Sequence, residues 1–77
     1  MLLVEAYERG KGTCFVGRAG TRQDAYMVVR QDAVTRYGSA IEGVYSYQTP
    51  RYDGCLMSYR VIGREVWYNV YDSGVME

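Results

Sequence analysis

The sequence predicts a two-layer α+β domain, an antiparallel sheet of about five strands in the order β-β-α-β-β-β with one helix packed on one face. Three observations predict it. Apolar residues alternate with polar ones over several short windows, turn formers separate those windows, and a single window at residues 21–37 carries helical spacing between recognisable caps. At 77 residues the chain reads as one small domain over 1–77. Such a domain buries about 60% of its unfolded surface and has no room for a deep cofactor cavity.

The elements follow in order. Leu2, Val4 and Ala6 alternate with Glu5 and Tyr7 across residues 2–9, as in a half-buried strand. Gly10-Lys11-Gly12 is a turn signal, so residues 13–18 pair back as a hairpin. Thr21 with Asp24 three residues on resembles a capping box, and Gly38 stands where a left-handed residue closes a helix. Between them Ala25, Tyr26, Val29, Ala33 and Tyr37 form the apolar stripe. Residues 41–48 and 55–62 read as strands around the turn-forming loop 49–54. Gly63-Arg64 reads as a two-residue hairpin with glycine first, leading into a last strand at 65–71.

Composition narrows the chemistry. With no histidine, Ser-His, Cys-His and zinc-His designs cannot be built within one chain, so the chain is read as non-catalytic, without metal or cofactor. The nine carboxylates read as caps, turn residues and solvated edges, and the paired glycines at 10/12 and 17/20 as turns. Cys14 and Cys55 are 41 positions apart with no CxxC, which predicts free core thiols. The opening Met-Leu-Leu-Val-Glu-Ala lacks a basic region and meets a charge at Glu5, so neither a signal peptide nor a membrane span is expected and the location is read as cytosolic.

Nine basic residues balance nine acidic ones, which argues against bulk attraction to nucleic acid or anionic membrane. Eight of the nine basic residues are Arg, and nine Tyr accompany one Trp and one Phe. Tyr, Trp and Arg are the residues enriched at interface hot spots, which points to protein recognition. Alternation assigns Leu2, Val4, Ala6, Cys55, Met57, Tyr59, Val61, Val66, Tyr68 and Val70 to the helix side of the sheet. Tyr26, Tyr59 and Tyr68 are expected as core tyrosines. The opposite face then presents Tyr7, Arg60, Trp67 and Tyr71 to solvent or a partner. These four, with Arg51 and Tyr52 in the 49–54 loop and Arg64 at the hairpin tip, are the expected partner-binding residues.

Two other readings use the same residues. The aromatic and Arg face has the parts of a single-stranded nucleic-acid platform, although the aromatic motif of RNA-recognition domains is absent. A homodimer joining open sheet faces or edges is the third, so a monomer or weak homodimer is expected. With its helix-to-strand segment QDAYMVVRQDAVTRYGSAIEGVYSY, the chain resembles the small phage-encoded anti-CRISPR proteins. The resemblance lies in size and architecture and carries over no individual residue. It implies an inhibitor that docks on a CRISPR effector complex and sterically blocks recognition of target DNA.

Overall fold

The computed structural model describes residues 1–50 and 54–73. Strand β1 (Leu2–Glu8) turns into β2 (Gly12–Ala19), helix α1 (Arg22–Tyr37) crosses back, and β3 (Ile41–Val44), β4 (Cys55–Val61) and β5 (Val66–Asp72) complete one sheet. Its spatial order is β2-β1-β5-β4-β3, antiparallel throughout, so the last strand lies at the centre and β2 and β3 form the edges. The expected fold class and element order are both found.

The helix ends are set by local chemistry. The Thr21 hydroxyl accepts from the Asp24 N–H at 3.1 Å, and Gly38, at φ 63°, donates its N–H to the Val34 carbonyl. Only a residue without a Cβ takes that left-handed cap at no steric cost. Removing the first cap with Thr21→Ala is expected to lower stability by about 1 kcal/mol, read as a shift in urea midpoint at constant slope.

The core lies between α1 and the sheet. Ala25, Val29 and Ala33 face Val4, Val61, Val66, Tyr68 and Val70, all fully or almost fully buried. Small helix residues let α1 lie close to β2, where a Cβ added at Gly17 would come within 3.3 Å of Val28 Cγ1. Tyr68 is the largest fully buried side chain, and its hydroxyl reaches Asp32 on the helix.

Four local expectations are corrected. The third strand stops at Val44 and a 3₁₀ turn occupies Ser46–Gln48, held by the Tyr45 N–H donating to Gln48 Oε1 at 2.8 Å. The loop before β5 opens with a β-turn over residues 61–64, in which the Arg64 N–H donates to the Val61 carbonyl at 3.1 Å, so Gly63, at φ 81°, is the third residue of that turn and not the first of a two-residue hairpin. Exposed Ile62 therefore belongs to the turn. The pairing of β4 with β5 shifts between Cys55 and Met57, a bulge that puts Cys55 opposite Tyr71 and returns Met57 to the helix side opposite Val70. Finally, Tyr26 lies at the rim of the helix stripe and is exposed, and Tyr59 is half-buried, leaving Tyr68 as the one fully buried tyrosine of the expected three.

Candidate functional site

The face away from the helix is built from cross-strand rows. Thr13, Tyr7, Trp67, Arg60 and Glu42 make one row, and Phe15, Glu5, Asn69, Ser58 and Val44 the next. The expected grouping of Tyr7, Trp67 and Arg60 is therefore present, with Tyr71 four residues further along β5. Their exposure is not as expected: Trp67 is 4% and Tyr71 6% accessible.

For Trp67 the cause is cover from neighbouring side chains. Arg9 and Arg60 place their guanidinium carbons 5.3 and 5.4 Å from the Trp67 ring centre, and the Tyr7 ring lies 6.1 Å away at a tilt. Glu65 ties the arginines in place, accepting from Arg9 Nε at 3.0 Å and from Arg60 Nη2 at 2.9 Å. Arginine stems cover apolar surface while their heads stay wet, so Trp67 is shielded by the side chains of its own face. One row further on, the Ser58 hydroxyl donates to Asn69 Oδ1 at 2.9 Å, and Asn69 is wholly buried. Arg64 is exposed and lies over the Tyr37 ring on the helix side, 5.4 Å from its centre. Arg51 and Tyr52 lie outside the described residues.

What the fold does display lies on the helix side. Strands are spaced about 4.8 Å apart, so five span roughly 19 Å, whereas a helix is about 10–12 Å across. Helix α1 packs chiefly on β2 and β1. Beyond the buried Val61, the helix side of β4 and β3 is only partly covered and forms a trough. One groove, of about 480 Å³, runs between Tyr26, Arg30 and Val34 of α1 and Ser39–Ile41 at the start of β3. A second, of about 460 Å³, is lined by Gly43, Met57 and Tyr59 with Leu56, Tyr45 and Gln48, and reaches Val44 and Ser58. A Cβ added at Gly43, on the trough floor, would meet nothing within 4 Å.

At the far end of this trough Tyr45 and Tyr47 stack on each other, ring centres 5.6 Å apart and 4° from parallel, each 70% exposed. Sequence reasoning missed this pair by reading residues 41–48 as one strand, which would put both tyrosines on one strand face. The available signal was the break of alternation before Thr49-Pro50. Tyr26 and Tyr59 form a second ring contact at 5.7 Å, along the trough itself.

Several titratable groups are engaged in structural pairs. Asp32 accepts from the Tyr68 hydroxyl at 2.6 Å and from Arg36 Nη2 at 3.3 Å, while Glu8 accepts from Tyr37 at 3.4 Å. Burial pushes the Tyr68 phenol well above the ordinary tyrosine range, and the bond to Asp32 adds to it. Burial does the same more mildly for Tyr59 and Tyr37, the latter aided by Glu8. Cys14 and Cys55 form no disulfide and occupy opposite sides of the sheet: Cys14 is exposed, taking a 3.2 Å contact from Arg36 Nη1, and Cys55 contacts Ser58 Oγ at 3.1 Å. Cys14 is thus an edge residue where a core one was expected. Among the described residues, no group of three Cys, Asp or Glu side chains could hold a metal ion, and no helix is long and apolar enough to cross a membrane. No family model, curated protein or solved structure matches the chain.

Proposed function

We propose that the chain is a non-catalytic recognition protein that docks on a protein partner through the trough and the Tyr45–Tyr47 pair. In this reading it acts in the cytosol of a host cell as an inhibitor of the anti-CRISPR kind, sterically blocking target-DNA recognition by a CRISPR effector complex. The observation that carries it is the exposed tyrosine stack. Two parallel rings held on a short turn give a rigid, amphipathic contact surface whose ordering entropy is already spent, the property that makes tyrosine effective in binding surfaces.

Protein is favoured over a single nucleic-acid strand by the lining beside the stack. Among its described lining residues the groove from Gly43 to Tyr59 contains no charged one, whereas strand binding combines aromatic platforms with a cationic track for the phosphates. Arg51 and Tyr52 adjoin this region in sequence and belong to the proposed surface on that ground.

The test is binding of the immobilised protein to purified, guide-loaded CRISPR effector complexes. Tyr45→Ala/Tyr47→Ala is expected to weaken that binding about tenfold or more, as for a pair of hot-spot residues, while changing the melting temperature by only a few degrees. Absence of binding to every effector complex overturns the inhibitor assignment, and undiminished binding by the double variant overturns the surface. Capture of a short oligothymidylate with steep salt dependence would support the nucleic-acid reading instead.

A further inference from the structure

We propose that the occupant of the trough is an amphipathic α-helix of the partner, with acidic residues flanking its apolar stripe. This rests on the docking reading above and adds the class of segment that docks. The first argument is dimensional. Helix α1 packs chiefly on β2 and β1, the outer strands of the sheet lie roughly 19 Å apart, and two packed helix axes need only about 8–10 Å between them, so the β3 side of the sheet has width for a second helix. A helix lying beside α1 at the usual 8–10 Å axial distance, roughly parallel or antiparallel to it, would meet the ridge that α1 turns toward β3. It would rest on Ile41, Met57 and Tyr59, which are only partly buried by the chain itself.

The second argument is charge. Among the described residues, Arg30 is the one charged residue lining either groove. It belongs to the i,i+4 ridge Arg22, Tyr26, Arg30, Val34, whose four residues are all exposed. Among the described residues, no carboxylate pairs with Arg22 or Arg30. An approaching helix therefore meets apolar floor and rings along its centre and two guanidinium groups along one margin. Glutamate or aspartate beside the stripe complements that margin, and lysine opposes it. The unfilled space over Gly43 gives a large apolar side chain of the incoming helix a place to enter.

The experiment uses the full chain and two designed helical peptides of about 18 residues, roughly five turns, with the same leucine stripe and either Glu or Lys flanks. A third peptide of the same composition as the Glu version, interrupted by prolines, controls for extended binding. The Glu-flanked helix is expected to bind in the micromolar range, with amide shift changes at Gly43, Met57 and Tyr59, and the Lys-flanked one at least about tenfold more weakly. Arg22→Glu/Arg30→Glu should invert that preference, and Gly43→Phe should abolish binding while the fold persists. Equal binding of both helices, preference for the proline-interrupted peptide, no binding at all, or insensitivity to Gly43→Phe would overturn the inference. If the protein instead self-associates at high concentration and Gly43→Phe makes it monomeric, the occupant is a second copy and the inference is overturned. Loss of effector binding in Tyr45→Ala/Tyr47→Ala, with no binding of the Glu-flanked helix, would leave the docking surface standing and remove only the helix assignment.

Discussion

Tyr68→Ala is expected to lower stability by about 3–5 kcal/mol, the range for removing a large buried ring. A domain of this size has a total stability near the lower end of about 5–15 kcal/mol, so the variant should be largely unfolded at moderate temperature. The reason lies in what Tyr68 joins. On the central strand β5 it is fully buried, between Ala6 of β1 and Tyr59 of β4, and its hydroxyl donates to Asp32 of α1 at 2.6 Å. Tyr68→Phe separates the ring from the hydroxyl: packing remains, Asp32 keeps Arg36, and the expected loss is about 1.5–3 kcal/mol for a hydrogen bond to a charged acceptor.

The same site sets the alkaline limit. The Tyr68 phenol is held above its unfolded value by burial and by Asp32, so the folded state favours the protonated form. Its contribution is fully present below the unfolded pKa of about 10 and is lost as pH rises beyond it toward the higher folded value. Tyr37 and Tyr59 are shifted in the same direction and add to the slope. Urea midpoints measured from pH 8 to pH 11 should therefore fall above about pH 10 in the wild type, and less steeply in Tyr68→Phe. An equal decline in both proteins would remove Tyr68 as the source.

What the sequence revealed and what it hid divide by range. Thr21, Gly38 and the Ala25, Val29, Ala33 stripe act within a few residues of themselves, so the helix and its ends could be read from local pattern. Alternation likewise placed Leu2, Val4 and Ala6 on β1 and Val66, Tyr68 and Val70 on β5 facing the helix. The bulge at Cys55 could not be read, because the extra residue is defined by the partner strand and leaves no mark in Cys55-Leu56-Met57. The cover over Trp67 was hidden for the same reason. Its parts come from the β1–β2 turn, β4 and the β4–β5 loop, and only the register of three strands brings Arg9, Arg60 and Glu65 together. The trough follows from the width of a five-stranded sheet under a single helix, a fact present in the predicted element order. Which half of the sheet stays bare depends on α1 lying over β2 and β1, which short-range pattern does not encode.

Trp67→Ala is expected to cost about 3–5 kcal/mol of stability while leaving the affinity of the remaining folded protein for its partner unchanged. The ring is buried beneath Arg9, Arg60 and Tyr7, so a partner would touch the arginine cover before it touched the indole. Removing the ring takes away a large packed surface and two cation–π contacts of about 0.5–1 kcal/mol each, and leaves the guanidinium groups held by Glu65 and, for Arg60, by the Arg64 carbonyl. Trp67→Phe keeps part of the packing and should fall between wild type and alanine in urea midpoint. The contrast with Tyr45 and Tyr47 is the informative measurement: those rings carry little of the fold and, in the proposed reading, much of the binding. Should Trp67→Phe weaken partner binding at unchanged stability, the arginine and tryptophan layer would have to open on docking. The interface would then be the face on which Tyr7, Arg60, Trp67 and Tyr71 were expected to bind, and the trough would lose its claim to the partner.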